Sequence, residues 1–115
     1  MIDHSTEAAI RRFLYLIANA GQFDLAGVIL YGSRARGTHS LDSDADLALL
    51  MNGKRQAGQR VLPVTLAMAD LAFEVLLETG INISPLPVWL DQWEHPERHS
   101  NPGLLRNIAR EGIRL

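Results

Sequence analysis

The 115-residue sequence has no cysteine, few aromatic residues (6%), only five prolines and no long hydrophobic run. Without cysteine there is no disulfide framework, no thiolate metal site and no thiol nucleophile, and a reducing cytoplasm is the expected setting. No stretch approaches the ~20 consecutive apolar residues of a membrane-spanning helix. Met1-Ile2-Asp3-His4-Ser5 lacks the basic start and apolar run of a secretory signal, so neither export nor a membrane is expected. An excess of positive charge is missing as well. Eleven Lys and Arg against 13 Asp and Glu leave a net charge of −2 at pH 7, and nucleic acid is not expected as the primary partner, because phosphate contacts need clustered cations. What remains, 47% hydrophobic and 21% charged, is the composition of one globular domain spanning residues 1–115, large enough to bury a core unaided.

Apolar residues at three- and four-residue steps from Ala9 to Ala20 predict an amphipathic helix over Thr6 to Ala20, ended by Gly21. Leu25 to Tyr31 is a continuous, partly β-branched apolar run that suits a strand covered on both faces. Gly32-Ser33-Arg34-Ala35-Arg36-Gly37 then reads as a tight turn and about one helical turn. A second strand is expected from Asp44 to Met51, with Asp44, Asp46, Ala48 and Leu50 on one face. The polar, glycine-rich stretch 52–58 is expected to be a connection. Leu62, Leu66, Ala69, Phe73, Leu76 and Leu77 mark a second helix, with Pro63 in its first turn and Gly80 at its end. A third strand is expected at Ile81 to Ser84, extending to Val88 as an edge strand because Pro85 and Pro87 cannot donate to a ladder. Asn101-Pro102 reads as an N-cap and first helical position, opening a helix to Gly112.

Two features separated by residues 34–43 explain each other. Gly32 and Ser33, where a strand hands over to a helix, offer backbone N–H groups and a hydroxyl to a phosphate. Asp44 and Asp46 have Cα atoms about 6.5–7 Å apart on a strand, so their oxygens can converge on a hard cation beside that phosphate. Anion cradle and cation site together meet the needs of in-line nucleotidyl transfer.

Gly32-Ser33-Arg34-Ala35-Arg36-Gly37, the spacer through Ser43 and Asp44-Ala45-Asp46-Leu47 resemble the signature of the minimal nucleotidyltransferases, small relatives of DNA polymerase β. The order of elements over about residues 5–90 is similar too. The resemblance implies an α/β fold around a small mixed sheet, ATP or another NTP as donor, and Mg²⁺ as cofactor in a one- or two-metal site. By similarity Gly32 and Ser33 would hold the triphosphate, Asp44 and Asp46 would be the metal ligands and catalytic acids, and Arg34 and Arg36 would contact phosphate or the partner. Proteins of this type resemble the antitoxin halves of modules paired with helical HEPN-domain ribonucleases, which some members silence by adding AMP. Such a partner would meet exposed faces of the terminal helices, or Trp89 and Trp93.

The sequence departs from that pattern at one place. Active relatives supply a third carboxylate from the strand matching Ile81 to Val88, which here holds no Asp or Glu. Asn82 and Ser84 are its polar residues, and neither is a base at pH 7. Asp91 and Glu94, beyond Pro85-Leu86-Pro87, are the acids that a bend would have to return to the site. An alternative follows, a catalytically impaired antitoxin or regulatory module that acts by binding its partner. His95-Pro96-Glu97-Arg98-His99 reads as a polar loop or helix start, because Pro96 disrupts the helix that a two-histidine metal motif requires. Trp89 and Trp93 read as packing, and Arg106, Arg110 and Arg114 as a solvated face.

Overall fold

The structure, a computed structural model, describes residues 2–54 and 61–115, so residues 55–58 of the expected connection lie outside the described part. Helix α1 (His4–Ala20), strand β1 (Leu25–Tyr31), the one-turn helix α2 (Ser33–Arg36) and strand β2 (Ala45–Met51) lead to the long helix α3 (Val61–Thr79). Strand β3 (Ile83–Trp89), a short helix α4 (Leu90–Glu94), a 3-10 turn at Pro96–Arg98, helix α5 (Pro102–Glu111) and strand β4 (Ile113–Arg114) complete the chain. Among the described residues no helix is long and apolar enough to cross a membrane.

The four strands form one mixed sheet in the order β3-β2-β1-β4. β1 runs antiparallel to β2 and β4, and β3 runs parallel to β2. The central pair is apolar on both faces because both faces are covered. Leu30, Leu47, Leu49 and Ile83 pack with Phe13 and Ile17 of α1 and Met68 and Val75 of α3. Ile29, Ala48, Leu50 and Val88 point to the opposite face, where α5 covers them with Leu105 and Ile108. This is a single α/β domain with helices on both sides of a small mixed sheet.

The ends of the elements follow local chemistry. Asp3 caps α1 by accepting from the Thr6 N–H at 2.8 Å, and Asn101 caps α5 by accepting from that of Leu104 at 3.2 Å, with Pro102 following it. β3 is longer than the four-residue core expected from sequence, and its prolines explain how it ends the sheet. The Asn82 carbonyl accepts from Ala45 N at 2.9 Å, so alternate residues Ser84, Leu86 and Val88 also turn their backbone groups to β2. Pro85 and Pro87 therefore turn their missing N–H groups to the open edge, where they block further pairing.

Two sequence expectations need correction here, the Trp89 contact and the start of the second strand. Trp89 is buried at the end of β3 and Trp93 packs beside the α5-side core, so Trp89 is unavailable as a partner contact. Arg114, beyond the helix, is exposed as expected. It lies in β4, with its guanidinium over Gly27, where a side chain would collide with it. β2 begins at Ala45, so Asp44 sits in the loop just ahead of the strand.

Candidate active site

β1 delivers the chain to the same end of the sheet at which β2 begins. The register aligns Tyr31, Asp46 and Ser84 in one row across three strands, on the face covered by α5. The chain leaves β1 through Gly32 at φ 77°, a conformation that L side chains rarely adopt. A Cβ at that position would also collide with Asp46 Oδ2. Glycine is required twice over, and the reason is that the Asp46 carboxylate lies directly against the turn.

The electrostatics reflect this crowding. Burial first, and then the nearby charge of Asp44, push the Asp46 carboxyl above the usual carboxylate range, while Arg36 pulls it partly back. Burial and the Asp46 charge push the Tyr31 phenol up to about 12. A pocket of about 180 Å³ opens beside the turn, lined by Tyr31, Gly32 and Arg36 on one side and by Asn107, Ile108 and Glu111 of α5 on the other. Arg36 reaches into solvent and faces Glu111 at 3.6 Å.

The sequence-expected residues thus divide. Gly32, Ser33, Asp46 and Arg36 come together at one end of the sheet, with Asp44 beside them in the loop that leads into β2. Arg34 does not join them, which corrects its assignment to phosphate. It is 4% exposed, and its guanidinium donates from Nε to the Ser43 carbonyl at 2.9 Å, from Nη1 to Thr6 Oγ1 at 2.9 Å, and from Nη2 to the Ser40 and Leu41 carbonyls at 3.4 Å each. Those acceptors take four of its five N–H groups on the α1 side of the sheet.

Among the described residues no third carboxylate joins the two acids at the site. Ser84 occupies the row beside Asp46. Asp91 lies past the other end of β3, where its N–H donates to the Gly53 carbonyl at 3.3 Å and its carboxylate binds Arg98 Nη1 at 2.6 Å. Glu94 follows it on α4, so the bend that would return either acid does not occur. Among the described residues no group of three His, Cys, Asp or Glu side chains could hold a metal ion. His95 faces Glu97 at 3.6 Å, while His99 Nδ1 accepts from Asn101 N at 2.9 Å, so the two histidines serve a turn. Tyr31, Asn107 and Glu111 are site residues that the sequence reading missed. The available signal was the second apolar face of the strands, which needed a cover that the C-terminal helix was free to supply.

A family model described as "Polymerase beta, Nucleotidyltransferase" matches residues 17–87, a span holding the turn, both acids and the Ser84 row. The chain belongs to this family. Nucleotidyl transfer is the general function that membership gives it. No curated protein matches the sequence. Among solved structures it is similar to one described as a "putative nucleotidyltransferase" from Sulfolobus solfataricus, at 18% identity over 97% of this chain and 86% of that one, with a TM-score of 0.47.

Asp46, which feels the charge of Asp44, Asp44 itself and the Ser84 hydroxyl in the adjacent row are the oxygen donors that would hold a hard cation such as Mg²⁺, with phosphate and water to complete its shell. A two-metal set built on three carboxylates does not fit these residues.

Proposed function

We propose that the chain binds an NTP, ATP being the expected donor, with one Mg²⁺ at Gly32, Ser33, Asp44 and Asp46, and transfers the nucleoside monophosphate to a hydroxyl of a partner protein in the cytoplasm. The observation that carries this reading is the Asp46 carboxylate packed against the Gly32 turn. Gly32 and Ser33 receive the phosphates. Arg36, held only by a long exposed ion pair, exchanges Glu111 for a phosphate oxygen. Asp44 and Asp46 would hold the Mg²⁺, which would supply neutralisation of phosphate charge and acidification of a nearby hydroxyl. In the transfer the acceptor oxygen bonds to the α-phosphorus, the bond from that phosphorus to pyrophosphate breaks, and the hydroxyl proton passes to water or to the pyrophosphate. The acceptor implied by the resemblance is a helical HEPN-type protein.

Ser84 favours a second reading in which the nucleotide site is retained and the domain acts as an antitoxin or regulatory module by binding that partner. Titration calorimetry with ATP and Mg²⁺ and mass spectrometry of the co-purified partner separate the two. Binding that weakens at least ~10-fold in Asp44→Asn/Asp46→Asn, together with a nucleoside monophosphate adduct on the partner, supports transfer. Binding with no adduct supports the module, and no binding by the wild type rejects both.

A further inference from the structure

Helix α3 is apolar on two opposite sides. Met68, Ala72 and Val75 face the core, whereas Leu62, Leu66, Phe73 and Leu77 are 64%, 55%, 57% and 70% exposed. At ~100° per residue these four side chains fall within an arc of about 60°, and they run along about 22 Å of helix. A helix that is apolar all round is normally buried all round, and a contiguous apolar row of this kind marks an interaction surface.

The charges beside the row specify what covers it. Val61–Thr79 contains no Lys or Arg, and its acids Asp70, Glu74 and Glu78 step by four along a single flank of the row. Glu78 is taken by Arg12, with bonds of 2.8 and 3.1 Å. Asp70 and Glu74 make no ion pair among the described residues. A second copy suits the apolar spacing, since an antiparallel pair would set Leu66 opposite Phe73 and Leu62 opposite Leu77. The same two-fold axis would place both acidic flanks on one side of the seam, and a parallel pair would offer them no cation. We propose that this face docks an amphipathic helix of another protein, with apolar residues at three- and four-residue spacing and a Lys/Arg flank that meets Asp70 and Glu74. Beyond the row the helix stops before Gly80, which with Thr79 and Leu41 lines a pocket of about 560 Å³. Leu41 is 93% exposed, in the loop between α2 and β2. Docking does not depend on the nucleotide reading, and its test contains no nucleotide.

Fluorescence anisotropy of labelled amphipathic peptides of about three heptads, with Leu at the a and d positions and either Lys or Glu at e and g, tests the inference on the full chain. The Lys-flanked peptide should bind at least ~10-fold more tightly than the Glu-flanked one. Leu66→Ser/Phe73→Ser should weaken it at least ~10-fold, and Asp70→Asn/Glu74→Gln should weaken it ~3–10-fold and flatten its salt dependence. The substituted side chains are exposed, so the urea midpoints of both variants should stay near the wild-type value, and the charge variant carries the test if the apolar one loses its fold. Equal binding of the two peptides, no binding of either, or no effect of the charge variant overturns the proposal. So does a sedimenting dimer that Leu66→Ser/Phe73→Ser abolishes, because the face then belongs to a second copy.

Discussion

A carboxylate at position 46 is pressed between the Gly32 turn and Asp44, and its ionisation works against folding. Burial and the Asp44 charge hold the folded carboxyl above its ordinary value, so the folded protein keeps that proton to higher pH than the unfolded chain does. Stability from this group is therefore fully present below the ordinary carboxylate value of ~3.9 and is lost as pH rises through the folded one. At pH 7 the charged Asp46 is a net cost. Asp46→Asn keeps the shape that fits against Gly32 and removes the charge, so its thermal midpoint should exceed that of the wild type at pH 7. The difference should shrink to nothing near pH 3. Circular dichroism melts from pH 3 to 8 check this, and a variant that melts below the wild type at pH 7 contradicts it. Mg²⁺ should raise the wild-type midpoint and leave Asp46→Asn almost unmoved, since a ligand stabilises only the state that binds it.

Among the elements, α2 shows which parts of the site were legible. The turn and the two acids were readable because glycine, serine and a strand-end Asp-x-Asp carry their chemistry in residue type and spacing. The direction of each arginine depends instead on helical geometry. Residues two apart on a helix point about 200° apart, so Arg34 and Arg36 cannot both serve one pocket. Arg36 faces Glu111 beside the site, and Arg34 turns inward to tie α1, through Thr6, to the Ser40–Ser43 segment ahead of Asp44. The two-residue β4 and the short α4 were illegible for a different reason, because elements of that length carry no periodicity. The length of β3 was half visible, since prolines that disqualify a central strand are permitted when their N–H positions face an open edge. Arg34→Met should leave the Thr6 hydroxyl and three carbonyls short of a donor and cost about 2–4 kcal/mol. Arg34→Lys should recover little of it, because an ammonium cannot span the acceptors that the guanidinium fork reaches. Urea denaturation measures both losses, and a cost below about 1 kcal/mol for Arg34→Met would show that water replaces the donors.

At the scale of the molecule, the two sides of the sheet are covered unequally. α1 and α3 bury one face, whereas the other is covered by the shorter α5, through Leu105 and Ile108, with Trp93 of α4 beside it. The site lies on that more lightly covered side, and its pocket has α5 as a wall. β1 and β2 occupy the middle of the sheet and should retain their amide protons until global unfolding, whereas α5 and β4 should exchange through a smaller opening of lower free energy. Nucleotide bound between Gly32 and Glu111 must leave before α5 lifts away. With ATP and Mg²⁺ at 100 times their dissociation constant, exchange of the α5 amides should slow about 100-fold, while amides that exchange through local fraying of α1 should not change. Hydrogen exchange read by NMR or mass spectrometry distinguishes the outcomes. If α5 is as protected as β2 without ligand, the unequal cover does not govern opening, and if ligand leaves α5 exchange unaltered, the pocket beside Gly32 is not where the nucleotide sits.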